Sequence, residues 1–92
     1  DFAFEAVGIP KVVEQAVASC GIAGTAVAIG VPAPGTEIRL PLDKFFFARG
    51  RLRATSYGDI LPSRDFPLYS SFYERGELQL GDFVTRRISL QE

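Results

Sequence analysis

The chain has 92 residues, of which 47% are hydrophobic and 23% charged, with 10 Lys+Arg against 11 Asp+Glu. This length fits one small domain, and a net charge of −1 provides no basic field for nucleic acid or anionic lipid. With one cysteine and no histidine, the chain lacks the residues for an intrachain disulfide, for the usual zinc site and for a Ser-His or Cys-His nucleophile pair. We therefore expect a cytoplasmic protein with no nucleic-acid or membrane partner, and no catalytic or metal-ligating residue within these 92 positions.

The first two predicted elements are a strand and a helix. The apolar segment "FAFEAVG" predicts a strand over about residues 2–7 that ends at Gly8. In "IPKVVEQAVASCG", Pro10 suits the first position of a helix and Gly21 its end. Apolar residues recur there at helical spacing, with Cys20 on the same stripe, so Cys20 is interpreted as a small packing residue.

The middle of the chain predicts two further strands around an irregular segment. "GTAVAIGV" is a continuous run of small and β-branched residues, typical of a strand covered on both faces in a parallel sheet. "TEIRLPL" is compatible with a short edge strand, because Pro41 cannot donate to a central ladder. "DKFFFARG" is compatible with either a short helical turn or a loop, with Asp43 as a candidate cap. The third main strand covers about residues 51–57.

The last third predicts a second long helix and an extended segment. "SRDFPLYSSFYERGEL" forms a helix that Gly76 ends, and its aromatic face is expected to pack in the core. "DFVTRRISL" alternates as a short extended segment. Glu5, inside an apolar strand, is expected to form a structural ion pair, because a buried carboxylate needs a partner.

Together these elements predict an α/β fold whose three main strands are parallel and adjacent in chain order. Gly8, Gly30 and Gly58 each follow one of the strands, and ligands of open α/β sheets bind beyond the carboxyl ends of strands. The glycines therefore either line a ligand cleft or simply form strand-to-loop turns.

Four segments, "DFAFEAVG", "GTAVAIGVPAPG", "RLRATSYGD" and "RRISLQE", in this order and spacing, resemble the zinc-dependent alcohol dehydrogenases of the medium-chain dehydrogenase/reductase superfamily. The resemblance implies half of a Rossmann-type parallel sheet. Residues 1–82 would be the second half of the NAD(P)-binding domain, and residues 83–92 the start of the segment that returns to the catalytic domain. It also implies hydride transfer between a small alcohol or aldehyde and NAD(P), with NAD favoured, and a zinc ion whose ligands lie outside this chain.

Coenzyme contacts follow from the same resemblance. Ile29 and Val31 match positions near the nicotinamide ring, with the Ile29 carbonyl facing the carboxamide, which the Thr55 carbonyl and the Tyr57 N–H would also contact. Ile9 departs from the family pattern, since liver-type members carry an arginine near the adenosine. The implied coenzyme-binding residues are Ala6, Val7, Gly8, Ile29, Gly30, Val31, Thr55 and Tyr57.

An assembly surface is implied as well. The resemblance places a symmetric homodimer or tetramer contact at residues 37–47. This contact would bury Ile38, Leu40 and part of Phe45–Phe47. Three consecutive phenylalanines cannot all face one side of an element, so part of that run needs cover from another chain or domain.

Both ends suggest a piece of a larger two-domain protein. The sequence starts at Asp1 directly on a strand pattern, and Ser89 and Glu92 have the spacing of a capping box. Alone, the piece is expected to be inactive and free of zinc. Two alternatives stay open: a non-catalytic nucleotide-fold module for binding or assembly, and a piece of a zinc-free quinone-reductase-like enzyme. An upstream glycine-rich fingerprint together with Cys/His zinc ligands in the same reading frame would decide for the alcohol dehydrogenase over the module.

Overall fold

A computed structural model describes residues 1–91 and separates them into two compact units, Asp1–Asp59 and a second that begins at Ile60. Short 3-10 turns cover Tyr57–Asp59 and Leu80–Phe83. The strands and helices in chain order are β1 (Phe2–Glu5), α1 (Pro10–Ser19), β2 (Thr25–Ala28), α2 (Leu42–Phe47), β3 (Arg51–Ala54) and α3 (Pro62–Glu74).

The first unit is built on a parallel three-stranded sheet in the order β1-β2-β3, which confirms the predicted α/β fold and strand order. The strands pair without offset, so that Glu5 lies beside Ala28 and Ala28 beside Ala54. The three carboxyl ends therefore form one row. On the central strand, Ala26 is fully buried, as expected for a run of small residues with a neighbour on each side.

Helix α1 has the predicted start and end. It begins at Pro10, where the missing N–H costs no hydrogen bond, and the chain leaves helical geometry at Cys20. The Cys20 thiol donates to the Ala16 carbonyl at 3.3 Å and is half-buried, in agreement with a packing role.

The edge strand proposed for "TEIRLPL" is absent, and residues 36–41 form no regular element. The backbone there bonds elsewhere: the Arg39 N–H donates to Glu14 Oε1 on α1 at 2.9 Å. Asp43 does not cap α2, because Pro41 holds the capping position and no side chain bonds there. The extended segment predicted for "DFVTRRISL" is also absent: the 3-10 turn at Leu80–Phe83 and irregular backbone take its place. The predicted capping box includes Glu92, which lies outside the described residues.

The second unit is dominated by α3, whose predicted stop is correct: Gly76 has a φ of 73°, and its N–H donates to Tyr73. The prediction that the aromatic face packs in a core is wrong. Phe66, Tyr69 and Tyr73 are exposed, and Phe72, the fourth aromatic residue of that face, is half-buried.

A buried carboxylate organises the start of α3. Asp65 is 6% exposed. Its Oδ2 accepts the backbone N–H of Leu61 at 2.8 Å and a guanidinium N–H of Arg64 at 3.0 Å. The hydrogen bond from Arg64, followed by that from Leu61, lowers the pKa of Asp65. The side chain thus reaches back over the first turn and satisfies the N–H of the residue that precedes the helix.

This arrangement predicts an acid-sensitive helix. Since the folded pKa of Asp65 lies below its unfolded value, the stabilisation is complete above the unfolded pKa and is lost as the pH falls through the folded pKa. We expect the melting temperature, followed by circular dichroism, to fall below about pH 4. The Asp65→Asn variant should have a lower melting temperature than wild type at neutral pH. Its melting temperature should also fall less than that of wild type when the pH is lowered. The matched control is Asp82→Asn on an exposed carboxylate, which should follow the wild-type pH dependence; equal acid sensitivity of Asp65→Asn and wild type would contradict the assignment.

Candidate functional site

A cavity of about 640 Å³ lies at the carboxyl ends of the strands, within the size range of small-molecule sites. Its walls include apolar side chains from three parts of the first unit: Val13 on α1, Leu52 on β3 and Ile38 in the irregular segment. We call this cavity the cleft.

Most of the residues implied by the resemblance meet at the cleft. Ala6 and Val7 do not line it; they lie in the loop between β1 and α1. Their role, like coenzyme binding by the others, stays a prediction. The lining positions among the implied residues are Gly8, Ile29, Gly30, Val31, Thr55 and Tyr57.

Gly8 and Gly30 bring the loops after β1 and β2 into direct backbone contact. A Cβ on Gly30 would collide with the backbone of Gly8 and Val7, and a Cβ on Gly8 would collide with the Val31 carbonyl. Gly8 also has a φ of 81°, which favours glycine. Both glycines therefore allow two loops to pack against each other at the rim of the cleft, a role that neither sequence interpretation included.

Glu5 holds those two loops in place. It is 2% exposed, and its Oε1 accepts the N–H groups of Val7 at 2.7 Å and Gly8 at 2.8 Å. Its backbone carbonyl accepts the N–H groups of Ile29 at 2.7 Å and Gly30 at 3.1 Å. The predicted ion pair is wrong: two local backbone donors satisfy Oε1, whereas Oε2, also buried, has no hydrogen-bond partner among the described residues. The sequence does contain a signal for this arrangement: an acidic residue at the end of a strand can accept the backbone N–H groups two and three residues further along the chain.

The end of β3 is fixed by a different set of bonds. The Thr55 N–H donates to Ala28 at 3.0 Å, which extends the ladder by one residue. Arg53 pairs with Asp59 at 3.2 Å, and the turn between them exposes Tyr57. Gly58, with a φ of 70°, belongs to this turn, so it fits the turn interpretation.

The described residues contain no group of three or more His, Cys, Asp or Glu side chains placed to hold a metal ion. None of the helices within residues 1–91 is long and apolar enough to cross a membrane. The cleft offers apolar walls and backbone carbonyls, with the Tyr57 phenol as the titratable side chain of its lining.

No protein-family model matches the chain. It is 30% identical, over its full length, to alcohol dehydrogenase-like 5 of Arabidopsis thaliana, of which it spans 24%. It is 34% identical over 92 residues to the (R,R)-butanediol dehydrogenase of Bacillus subtilis (strain 168), of which it spans 25%. The crystal structure of benzyl alcohol dehydrogenase from Acinetobacter calcoaceticus matches 82% of the chain with a TM-score of 0.76 and 25% identity, over 21% of its own length. The chain thus spans about a quarter of the length of the curated relatives it matches.

Proposed function

Because the chain belongs to the alcohol dehydrogenase family as a segment of about a quarter of its relatives' length, we propose that it forms the nicotinamide side of the coenzyme cleft of an oxidoreductase. The whole protein would transfer a hydride between a small alcohol or aldehyde and NAD(P). In this proposal residues 1–82 complete the coenzyme domain and residues 83–92 begin the return to the catalytic domain.

The observation that carries the proposal is the meeting of six family-implied positions around one cavity. The residues present fit a nicotinamide group. Apolar side chains such as Ile29 and Leu52 suit the faces of a flat ring, and a carboxamide has N–H donors for backbone carbonyls. Residues 1–91 form many backbone hydrogen bonds outside the helices and strands, and none of these bonds is accepted by the Ile29 or the Thr55 carbonyl.

The division of roles follows from the residues. When bound, the coenzyme supplies the hydride donor or acceptor, and this chain supports and orients its ring. The described residues offer no zinc ligand set. We therefore assign any zinc of the whole protein to ligands outside this chain.

The proposal is tested by titrating the 92-residue chain with reduced nicotinamide mononucleotide, whose ring is uncharged, and following amide chemical shifts by NMR. We expect shifts at Ile29–Val31 and at Thr55, with none at Ile22 near the opposite end of β2. Ile29→Asp should weaken binding about tenfold, since it places a carboxylate against the ring. Thr55→Val should bind as wild type, because the implied contact uses the Thr55 carbonyl.

Ile22→Asp is the matched control, since it makes the same change at an exposed isoleucine that does not line the cleft. It should leave the affinity unchanged. The proposal would be wrong if the wild-type chain showed no shifts at the cleft, or if both aspartate variants weakened binding equally.

A dimer contact at residues 37–47 is the second part of the proposal. Phe45 packs against Gly50, whereas Leu42, Phe46 and Phe47 are exposed. Residues 36–41 form no strand, and Ile38 and Leu40 are already half-buried within the chain. The contact would therefore use mainly the exposed face of α2, with Ile38 and Leu40 at its edge.

A further inference from the structure

One residue uses the N–H groups that follow two neighbouring strands. Glu5 engages Val7 and Gly8 through its carboxylate and Ile29 and Gly30 through its carbonyl. In many nucleotide-binding folds, free N–H groups at such a strand-to-helix turn bind a phosphate. Here the Glu5 carboxylate takes the position of that anion.

The start of α1 offers no replacement donor set. Pro10, at its beginning, has no N–H. The Lys11 ammonium in the same turn pairs with Glu14 at 3.5 Å, and Lys11 does not line the cleft. The N–H groups of Val12 and Val13 already donate to the Ile9 carbonyl. A ligand anion approaching this part of the cleft would therefore meet occupied donors, and behind them a buried carboxylate that repels it.

We infer that Glu5 is the specificity-determining residue of the cleft: it excludes anionic groups from the ends of β1 and β2 and selects a neutral group that donates hydrogen bonds. With their N–H groups occupied, Ile29 and Gly30 keep their carbonyls as acceptors, since none of the backbone hydrogen bonds outside the helices and strands of residues 1–91 uses them. A carboxamide matches such a wall, and a carboxylate or phosphate does not.

The inference rests on the proposed function for the identity of the ligand, and it explains why this end of the cleft would take the nicotinamide rather than a phosphate. Glu5 acts through the loops and touches no ligand. It is therefore a positioning residue, and its removal should change which ligand binds.

The test compares the binding of nicotinamide with that of nicotinic acid, which carries a carboxylate in place of the carboxamide. Inorganic phosphate is the third probe. Binding of each compound is followed by the amide chemical shifts of the 92-residue chain. Wild type should bind nicotinamide at least about tenfold more tightly than nicotinic acid and should show no phosphate shifts at Val7 and Gly8. Glu5→Gln keeps an oxygen acceptor for those two amides but removes the charge, so the preference should fall severalfold. Glu5→Ala frees both donors, so phosphate should shift their resonances.

Glu14→Gln is the control, because Glu14 also accepts a backbone N–H, from Arg39, but lies outside the cleft; it should keep the wild-type preference. The inference is overturned if Glu5→Gln retains that preference, or if phosphate shifts Val7 and Gly8 in wild type. If Glu5→Ala does not fold, the Glu5→Gln comparison decides. If wild type binds neither ring compound, the proposed function fails, while the phosphate responses of wild type and Glu5→Ala still test the role of Glu5.

Discussion

Replacement of Gly30 by alanine should lower the free energy of unfolding by about 2–3 kcal/mol, one of the largest effects expected from a single methyl group in this chain. The added Cβ would collide with the backbone of Gly8 and Val7, and backbone atoms cannot move aside as a flexible side chain can. The two loops would have to separate. That movement would stretch the bonds that Glu5 forms with both of them.

Urea unfolding measures this loss as a lower midpoint with an unchanged slope. Gly21→Ala is the matched control, because its new Cβ would meet only the end of the Asp1 side chain, at 3.3 Å. It should change the stability by less than about 0.5 kcal/mol. Equal stability of Gly30→Ala and Gly21→Ala would show that the loops are not in close contact in solution.

Gly30 also shows where prediction from the sequence ends. The strands themselves follow from local patterns: a continuous small and β-branched run predicts β2, and Pro10 marks the start of α1. The need for glycine at position 30, however, comes from a loop more than twenty residues earlier in the chain. No periodicity records a contact of this kind, so the sequence alone could only offer a turn or a ligand approach.

Glu5 was misinterpreted for a related physical reason. The sequence correctly indicates that a carboxylate in an apolar strand needs partners, but two backbone N–H groups rather than a cation bond to one of its oxygens, Oε1. Backbone donors are present at every residue except proline, so composition cannot reveal which of them is used. The location of the cleft was predictable, because parallel strands place their carboxyl ends together.

The aromatic face of α3 illustrates a different limit. Helical spacing correctly groups Phe66, Tyr69 and Tyr73, yet spacing states which face is apolar and not what covers it. The same holds for the run Phe45–Phe47, where one ring packs inward and two remain outside. An uncovered apolar face is informative about partners only when it is joined to a specific expectation of assembly.

The exposed face of α2 supplies the second large effect: Phe46→Ser with Phe47→Ser should weaken self-association of the chain at least about a hundredfold. The two rings are 72% and 79% exposed and meet edge to face with centroids 5.5 Å apart. In a two-fold contact each residue appears twice, so the double substitution removes four rings from one interface. Sedimentation velocity over a concentration series measures the change as a shift from dimer to monomer.

The control must remove an equally exposed ring elsewhere. Phe83→Ser does so, because Phe83 is 77% exposed and lies in the 3-10 turn of the second unit. We expect the Phe83 variant to associate as wild type does, since the proposed contact is confined to residues 37–47. A wild-type chain that stays monomeric at high concentration, or a double variant that dimerises normally, would contradict the α2 interface. Loss of association in the Phe83 variant alone would place the contact in the second unit instead.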